Sequence, residues 1–466
     1  MSQTDSETLL IIGAGSAGCV LANRASADGR RRVILVEAGP DYPPDQPLPE
    51  DLRRGGRNSF HDHDWGYDHR PNSQQWMLPM PRGRVVGGSS AVNTCIAIRG
   101  QPEDYAEWEM DGWNWDACLR CFKRLERDLD FPEDDVHGAD GPIPIRRHPD
   151  DEWTAWEAAF VEGCTELGHP ECADTNTPGS VGTGAHAMNK VDGRRISAAE
   201  GYLTVDVRAR DNLEIQPETF VRRLLFDGRT VVGAEVERGD GVEALYADDV
   251  VVSCGAINTP HLLMRSGVGP RRILEDWGVD LVADNPHIGT QLLDHAGVAM
   301  FLRPRLFKGT SWRHDLIQTT CRYASGTVDM PNDLIMQPGA TVPTAWVTLP
   351  LVSIMVMVGK PRGVGSIRWD SADPHAQPTI DSALLDDDFD REVAVDAMEH
   401  CFAVANTKAC REVARPLYPS ASTLSDRDRL DDKIRAMCDS GYHPCGTAPM
   451  GADGDGACDH QGRVRG

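Results

Sequence analysis

A short apolar run, Leu9-Leu10-Ile11-Ile12, breaks into Gly13-Ala14-Gly15-Ser16-Ala17-Gly18, and a second apolar run, Val33-Ile34-Leu35-Val36, ends on Glu37. Strand, glycine turn, helix, strand and terminal acid in that order constrain the chain to a βαβ unit that takes a dinucleotide. Gly13 permits the tight turn. Gly15 lets bare backbone approach a pyrophosphate, which sits by Ser16 and Ala17 on the positive end of the helix. Gly18 lets that helix pack closely on the strand. Glu37, followed by Ala38, stands where a carboxylate accepts ribose hydroxyls, which disfavours a phosphorylated ribose. An ordinary strand–turn–helix would not need all of these parts together.

At 466 residues the chain is too long for one core, so two domains are expected. Its 47 basic and 72 acidic residues leave a net charge of −25. That charge serves solubility and argues against nucleic acid or an anionic membrane as partner. The 13 Cys are scattered without a framework, and residues 1–8 are polar with no basic start. Reduced thiols and a cytoplasmic location are therefore expected. The longest apolar run, residues 349–358, has about half the length that a bilayer requires and reads as a buried strand, so no membrane span is expected.

Residues 40–81 are rich in Pro, Asp, His and Arg and read as an extended loop, a lid or a subunit contact, which leaves room for a homo-oligomer. Residues 103–128 read as helical, with Trp108, Trp113, Trp115, Leu119 and Phe122 on apolar faces. Residues 213–217, 221–226 and 231–237 alternate like antiparallel strands, the last two joined by Asp227-Gly228-Arg229. Residues 249–252 read as a buried strand running into the Gly255 turn. Residues 298–304, 347–358 and 366–369 read as strands of a different sheet, residues 386–409 as a long helix and residues 428–438 as another. The expected fold class is α/β: a discontinuous Rossmann-like dinucleotide domain with an inserted α+β domain on a largely antiparallel sheet.

Three further segments carry a family resemblance. Residues 83–93 (GRVVGGSSAVN) resemble the first signature of the glucose–methanol–choline (GMC) flavoprotein oxidoreductases. Residues 255–269 (GAINTPHLLMRSGVG) resemble the second, and residues 442–451 (YHPCGTAPMG) resemble the family's active-site histidine segment. The resemblance implies FAD, held covalently or not, with Glu37 on the adenosine ribose and Val221 at the adenine. It implies Arg84 and Gly88 near the pyrophosphate, and Asn93, Thr94, Cys95 and Ile96 facing the isoalloxazine. Arg84 can neutralise phosphate, and Asn93 can donate to a flavin oxygen. Together with the strand pattern, it implies that residues 1–150, 196–298 and 436–466 form the FAD domain. Residues 151–195 and 299–435 would form the substrate domain. It also implies a further stretch, with a second catalytic His or Asn, to which nothing up to Gly466 corresponds.

Oxidising a primary alcohol to an aldehyde removes a hydroxyl proton and a carbon-bound hydride. The resemblance implies that flavin N5 accepts the hydride and that His443 is the base, since imidazole titrates near neutrality and Pro444 stiffens its segment. Two other readings stay open: a cyanohydrin-type lyase using the same histidine, and a truncated, non-catalytic flavoprotein-like chain. The electron acceptor is named only as a class, oxygen, quinone or another carrier. No metal is expected. Cys118 and Cys121 share one helix face without a partner pair, and His61-Asp62-His63-Asp64 reads as a solvated loop. Cys445 reads as packing, and His295 as a core or surface residue rather than a lining of the domain junction.

Overall fold

The computed structural model describes residues 7–306, 308, 313–328, 330, 332–343, 348–452 and 454–466. Residues 1–6 of the expected polar start, and Val347 at the head of an expected strand, lie outside them. The βαβ unit forms as its sequence dictates. Strands Thr8–Ile12 and Arg32–Val36 pair in parallel around helix Ser16–Ala25. Asp249–Val252 joins on one side and Leu213–Gln216 on the other, all parallel. Leu10, Ile11, Val33 and Leu35 are fully enclosed, as a sheet covered on both faces requires. Gly13 takes φ +94°, and a Cβ on Gly18 would lie 2.0 Å from the Gly13 carbonyl oxygen. Only bare backbone permits this approach of helix to strand.

The strand at Leu213–Gln216 corrects an expectation. It is parallel and belongs to the nucleotide sheet, not to the antiparallel set. Alternation reports that one face is covered and carries no information on strand direction. The other two segments do form a hairpin, Phe220–Asp227 with Thr230–Arg238, extended by Gly241–Tyr246. The single helix expected over residues 103–128 is also corrected. It is two helices, Pro102–Ala106 and Trp115–Leu125, separated by positive φ at Glu109 and Gly112. Asn114 restarts the second by accepting the Ala117 amide. The aromatic residues that suggested one helix instead cluster around Tyr105, against Trp108, Trp115 and Phe122.

The second layer is an antiparallel sheet. Its strands run Ala414–Tyr418, Ala296–Pro304, Val352–Val358, Leu334–Gly339, Thr319–Tyr323 and Gly182–Ala185, with Asp439–Ser440 pairing at the start of Ala296–Pro304. Helices Ala155–Glu166 and Asp388–Ala405 cover one face, burying Phe160, Met300, Met336, Ile354, Val356 and Met398. The side chains of Thr154 and Asp387 cap them. The long helix ends at Ala405, earlier than expected, because Thr407 caps a new helix, Lys408–Val413. The helix expected at residues 428–438 spans Arg427–Arg435.

Strand Ser366–Arg368 lies in a third sheet with Thr379–Asp381, Asp68–Arg70 and Leu78–Pro79. It sends Ile367, Trp369 and Ile380 into the nucleotide-side core. Among the described residues no helix is long and apolar enough to cross a membrane, and all 13 cysteines are unpaired.

Gly18→Ala is expected to destabilise the protein by about 1–3 kcal/mol through overpacking. Urea unfolding measures it, and a midpoint equal to that of the wild type would show that helix and strand can separate without cost.

Candidate active site

A cavity of roughly 370 Å³ opens along the ends of the parallel strands. Of the residues expected to hold a cofactor, Gly13, Gly15, Ser16, Ala17, Glu37, Ala38, Gly88 and Val221 line it. Gly18 lies behind them in the helix–strand contact. Gly15 and Gly88 come back to back: a Cβ on Gly88 would sit 2.6 Å from the Gly15 Cα. No side chain caps the helix that starts at Ser16, so its first amides are left for an anion. Glu37 is buried, with its two oxygens accepting the Ala14 and Gly39 amides at 2.9 and 3.0 Å. Burial pushes its carboxyl up to about 7, against the pull of those amides and of Arg84. A cradle of bare backbone, an uncapped helix end and a buried acid fit the pyrophosphate and ribose of FAD.

The arginines divide differently from expectation. The Arg84 guanidinium stands 5.1 Å over the Trp65 ring and lines a neighbouring polar cleft with Asp62, His63, Asp64 and Glu218. Arg82 lines the cavity itself. Its Nη2 donates to the Tyr442 carbonyl at 2.8 Å, and its buried Nε has no partner among the described residues. Sequence reasoning missed Arg82 because nothing in the spacing ranks it above Arg84.

The loop at Asn93, Thr94, Cys95 and Ile96 follows the turn at Gly88–Ala91 and does not line that cavity. Asn93 is exposed, and its side-chain oxygen accepts the Cys95 amide, which leaves its NH2 free to donate elsewhere. Cys95 is buried at φ +68°, Thr94 is half-buried, and Ile96 bridges to Met188. A second unexpected residue fixes this loop. The fully buried Arg195 donates to the carbonyls of Asn93, Ala91, Leu52, Asp51 and Arg57.

His443 lies at the meeting of the two layers. The buried Asp294 carboxylate accepts the amides of His295 and His443 through one oxygen, at 2.8 and 3.0 Å, and the Ser440 hydroxyl through the other. The two histidine rings meet edge to face, with their Nδ1 atoms 3.1 Å apart. His295 is thus a partner of the expected base, contrary to its reading as a core or surface residue. The Asp294-His295 doublet was the available signal. His443 presents an exposed edge while protein packs its other sides. Burial first, then the charges of His295 and Arg82, lower its pKa to about 4, with Asp294 opposing them. The ring is neutral at pH 7. Cys445, two residues on, is exposed and makes a bridge with Leu293.

The loop His61-Asp62-His63-Asp64 is not simply solvated. His63 is buried between Tyr42 and Asp51, and Asp64 accepts the Arg82 amide. Elsewhere, Glu126, Asp128 and His137 bring ligand atoms within 4.8 Å of one another. Arg99 and Arg147 already pair with these carboxylates. Against the effect of burial, Asp128, Asp174 and Glu126 raise His137 to about 11, which makes it an imidazolium unable to ligate a cation.

Family models described as GMC oxidoreductase match residues 8–297 and 361–466, so the family's C-terminal domain is present. The chain is 32% identical to 5-(hydroxymethyl)furfural oxidase of Methylovorus sp. (strain MP688), over 98% of this chain and 91% of the relative. It is 30% identical to oxygen-dependent choline dehydrogenase of Photobacterium profundum, over 96% and 84%. The crystal structure of pyridoxine 4-oxidase from Mesorbium loti superposes with a TM-score of 0.90 at 30% identity, covering 98% of this chain and 91% of that one.

Glu37→Ala is expected to weaken FAD retention, since each charge-assisted bond to a ribose hydroxyl contributes about 1.5–3 kcal/mol. Titration of the apo-protein with FAD tests this; equal affinities would remove Glu37 from the ribose site.

Proposed function

On the premise that the chain belongs to the GMC oxidoreductases, we propose that it oxidises a primary alcohol to the aldehyde, with His443 taking the hydroxyl proton. Its cofactor is FAD, as in that family. The relatives and the solved neighbour above are named for compounds that carry a primary hydroxyl. A cytoplasmic setting suits the unpaired thiols.

One observation carries the base assignment: a neutral, exposed imidazole whose backbone and Nδ1 are both held. Bound FAD supplies the hydride acceptor. Glu37, the Ser16 and Ala17 amides, Gly15 and Gly88 would hold it, and the free NH2 of Asn93 would donate to it. One tautomer of the pair suits a base: with His295 Nδ1 accepting, His443 Nδ1–H donates to it, and the lone pair of His443 Nε2 is left for the alcohol proton. Arg82 and Asp294 hold the segment on which that ring sits.

Stopped-flow reduction of the bound flavin by benzyl alcohol without oxygen tests the reading. His443→Ala is expected to slow it by roughly 10²–10⁴-fold with FAD content retained. An unchanged rate would make His443 structural, and a wild-type flavin that stays oxidised would favour the lyase.

The pH profile follows from the lowered pKa. His443 works unprotonated, and depression to about 4 keeps that form dominant throughout the weakly acidic range. The reduction rate is expected to hold as pH falls through about 6.5, where an ordinary imidazole would be half protonated. It should decline only as the pH approaches the lowered value. An acid limb centred near 6.5 would contradict the desolvated setting of the ring.

A further inference from the structure

Beside the histidine pair lies a charge cluster with no part in the proton and hydride transfers. Lys360 Nζ is 2.7 Å from Asp104 and 2.7 Å from Glu107. Asp104 belongs to helix Pro102–Ala106, and Glu107 caps its end. Lys360 comes from the other layer, just past strand Val352–Val358. The register pairs Ala296 with Val358, so the chain through Gly359 and Lys360 continues alongside His295 and Asp294. The Leu292–Gly365 bridge closes that turn against the same segment. Asp104 and Lys360 both act on the His295 ring, with opposite sign. That ring is 3.1 Å from His443.

Two carboxylates and one ammonium leave the cluster with a single net negative charge. Asp104, Lys360 and Glu107 keep 31%, 29% and 55% of their side-chain surface exposed, so their field extends into the solvent beside the histidines. A long ammonium held between two acids, close enough to act on the His295 ring, contributes to the potential around the histidine pair.

We propose that Lys360, Asp104 and Glu107 form a charge filter for the alcohol, in which Lys360 offsets the two carboxylates and thereby restrains selection for cationic substrates. The proposal rests on the alcohol-oxidising reading above. It concerns which alcohols are admitted, not how the proton leaves.

Three alcohols that share a reacting group test it: 4-(trimethylammonio)benzyl alcohol, benzyl alcohol and 4-(hydroxymethyl)benzoate. In Lys360→Met the ratio of kcat/KM for the cationic over the anionic alcohol is expected to rise roughly 5–50-fold, the order expected for one charge at partly solvated range. Lys360→Arg should keep the wild-type ratio, and Glu107→Gln should move it the opposite way. Dissociation constants of the unreactive phenyltrimethylammonium and benzoate ions, measured on the FAD-bound protein, should shift in the same sense. If Lys360 is only a latch between layers, the three alcohols lose efficiency in parallel and the ratio stays fixed, which overturns the filter. If benzyl alcohol fails to reduce the wild-type flavin while the unreactive ions still discriminate among the variants, the alcohol reading falls and the charge selectivity survives. If neither the alcohols nor the ions discriminate, the filter is refuted.

Discussion

The Asp294 carboxylate is the interaction on which the arrangement of the site depends. It is buried just before the strand Ala296–Pro304 enters the antiparallel sheet, and it accepts from two backbone amides and one hydroxyl. A buried carboxylate without such donors would cost several kcal/mol. Its donors come from residues 295, 440 and 443, so satisfying one charge fixes how the histidine segment meets the sheet. Asp439–Ser440 pairs with the same strand. The position of the His443 ring is therefore set by backbone amides on a sheet edge, which have few ways to move. A side chain reaching from a loop could not hold it so closely.

The loop around Asn93 is built on a different principle. Asp51, Leu52 and Ala91 lie at the ends of two short helices, Glu50–Arg53 and Gly88–Ala91, where the last carbonyls have no partner along the helix. Arg195 answers that need with one fully buried guanidinium spread over five carbonyls. Among the described residues no carboxylate pairs with it, and burial lowers its pKa. The carbonyl dipoles take the place of water, which ties the two short helix ends to the loop at Asn93. Arg82 plays the connecting part, lining the cavity while donating to the carbonyl next to His443.

The sequence made legible what local geometry dictates. The glycine turn, Glu37 and the paired glycines at residues 87–88 are each demanded by a close approach, and a close approach leaves a spacing that can be read. His443 was legible through resemblance, because its segment has a characteristic neighbourhood. Several things could not be read. Leu213–Gln216 is too short for alternation to fix its direction. The helix break at Gly112 competes with an aromatic pattern that also suits two short helices around Tyr105. The part played by Arg82, and the roles of His295 and Arg195, depend on partners 102 to 360 residues away. Such pairings leave no periodic trace.

This division explains how one scaffold can keep its cofactor cradle while its substrate side changes. The cradle depends on absent side chains: any Cβ at Gly18 or Gly88 meets backbone that cannot yield. The rim beside the histidine pair depends on side chains that are present and replaceable. Lys360 and Glu107 are partly exposed and fill no core, so exchanging their charges costs little stability, whereas Asp104 also caps its helix by accepting the Gln101 amide. His443 and Asp294 lie between these regimes, since the ring is open to solvent while its anchor is buried. Charges at Lys360 and Glu107 can therefore change without disturbing the geometry of the histidine pair. A change at Asp294, by contrast, would disturb both histidine segments at once.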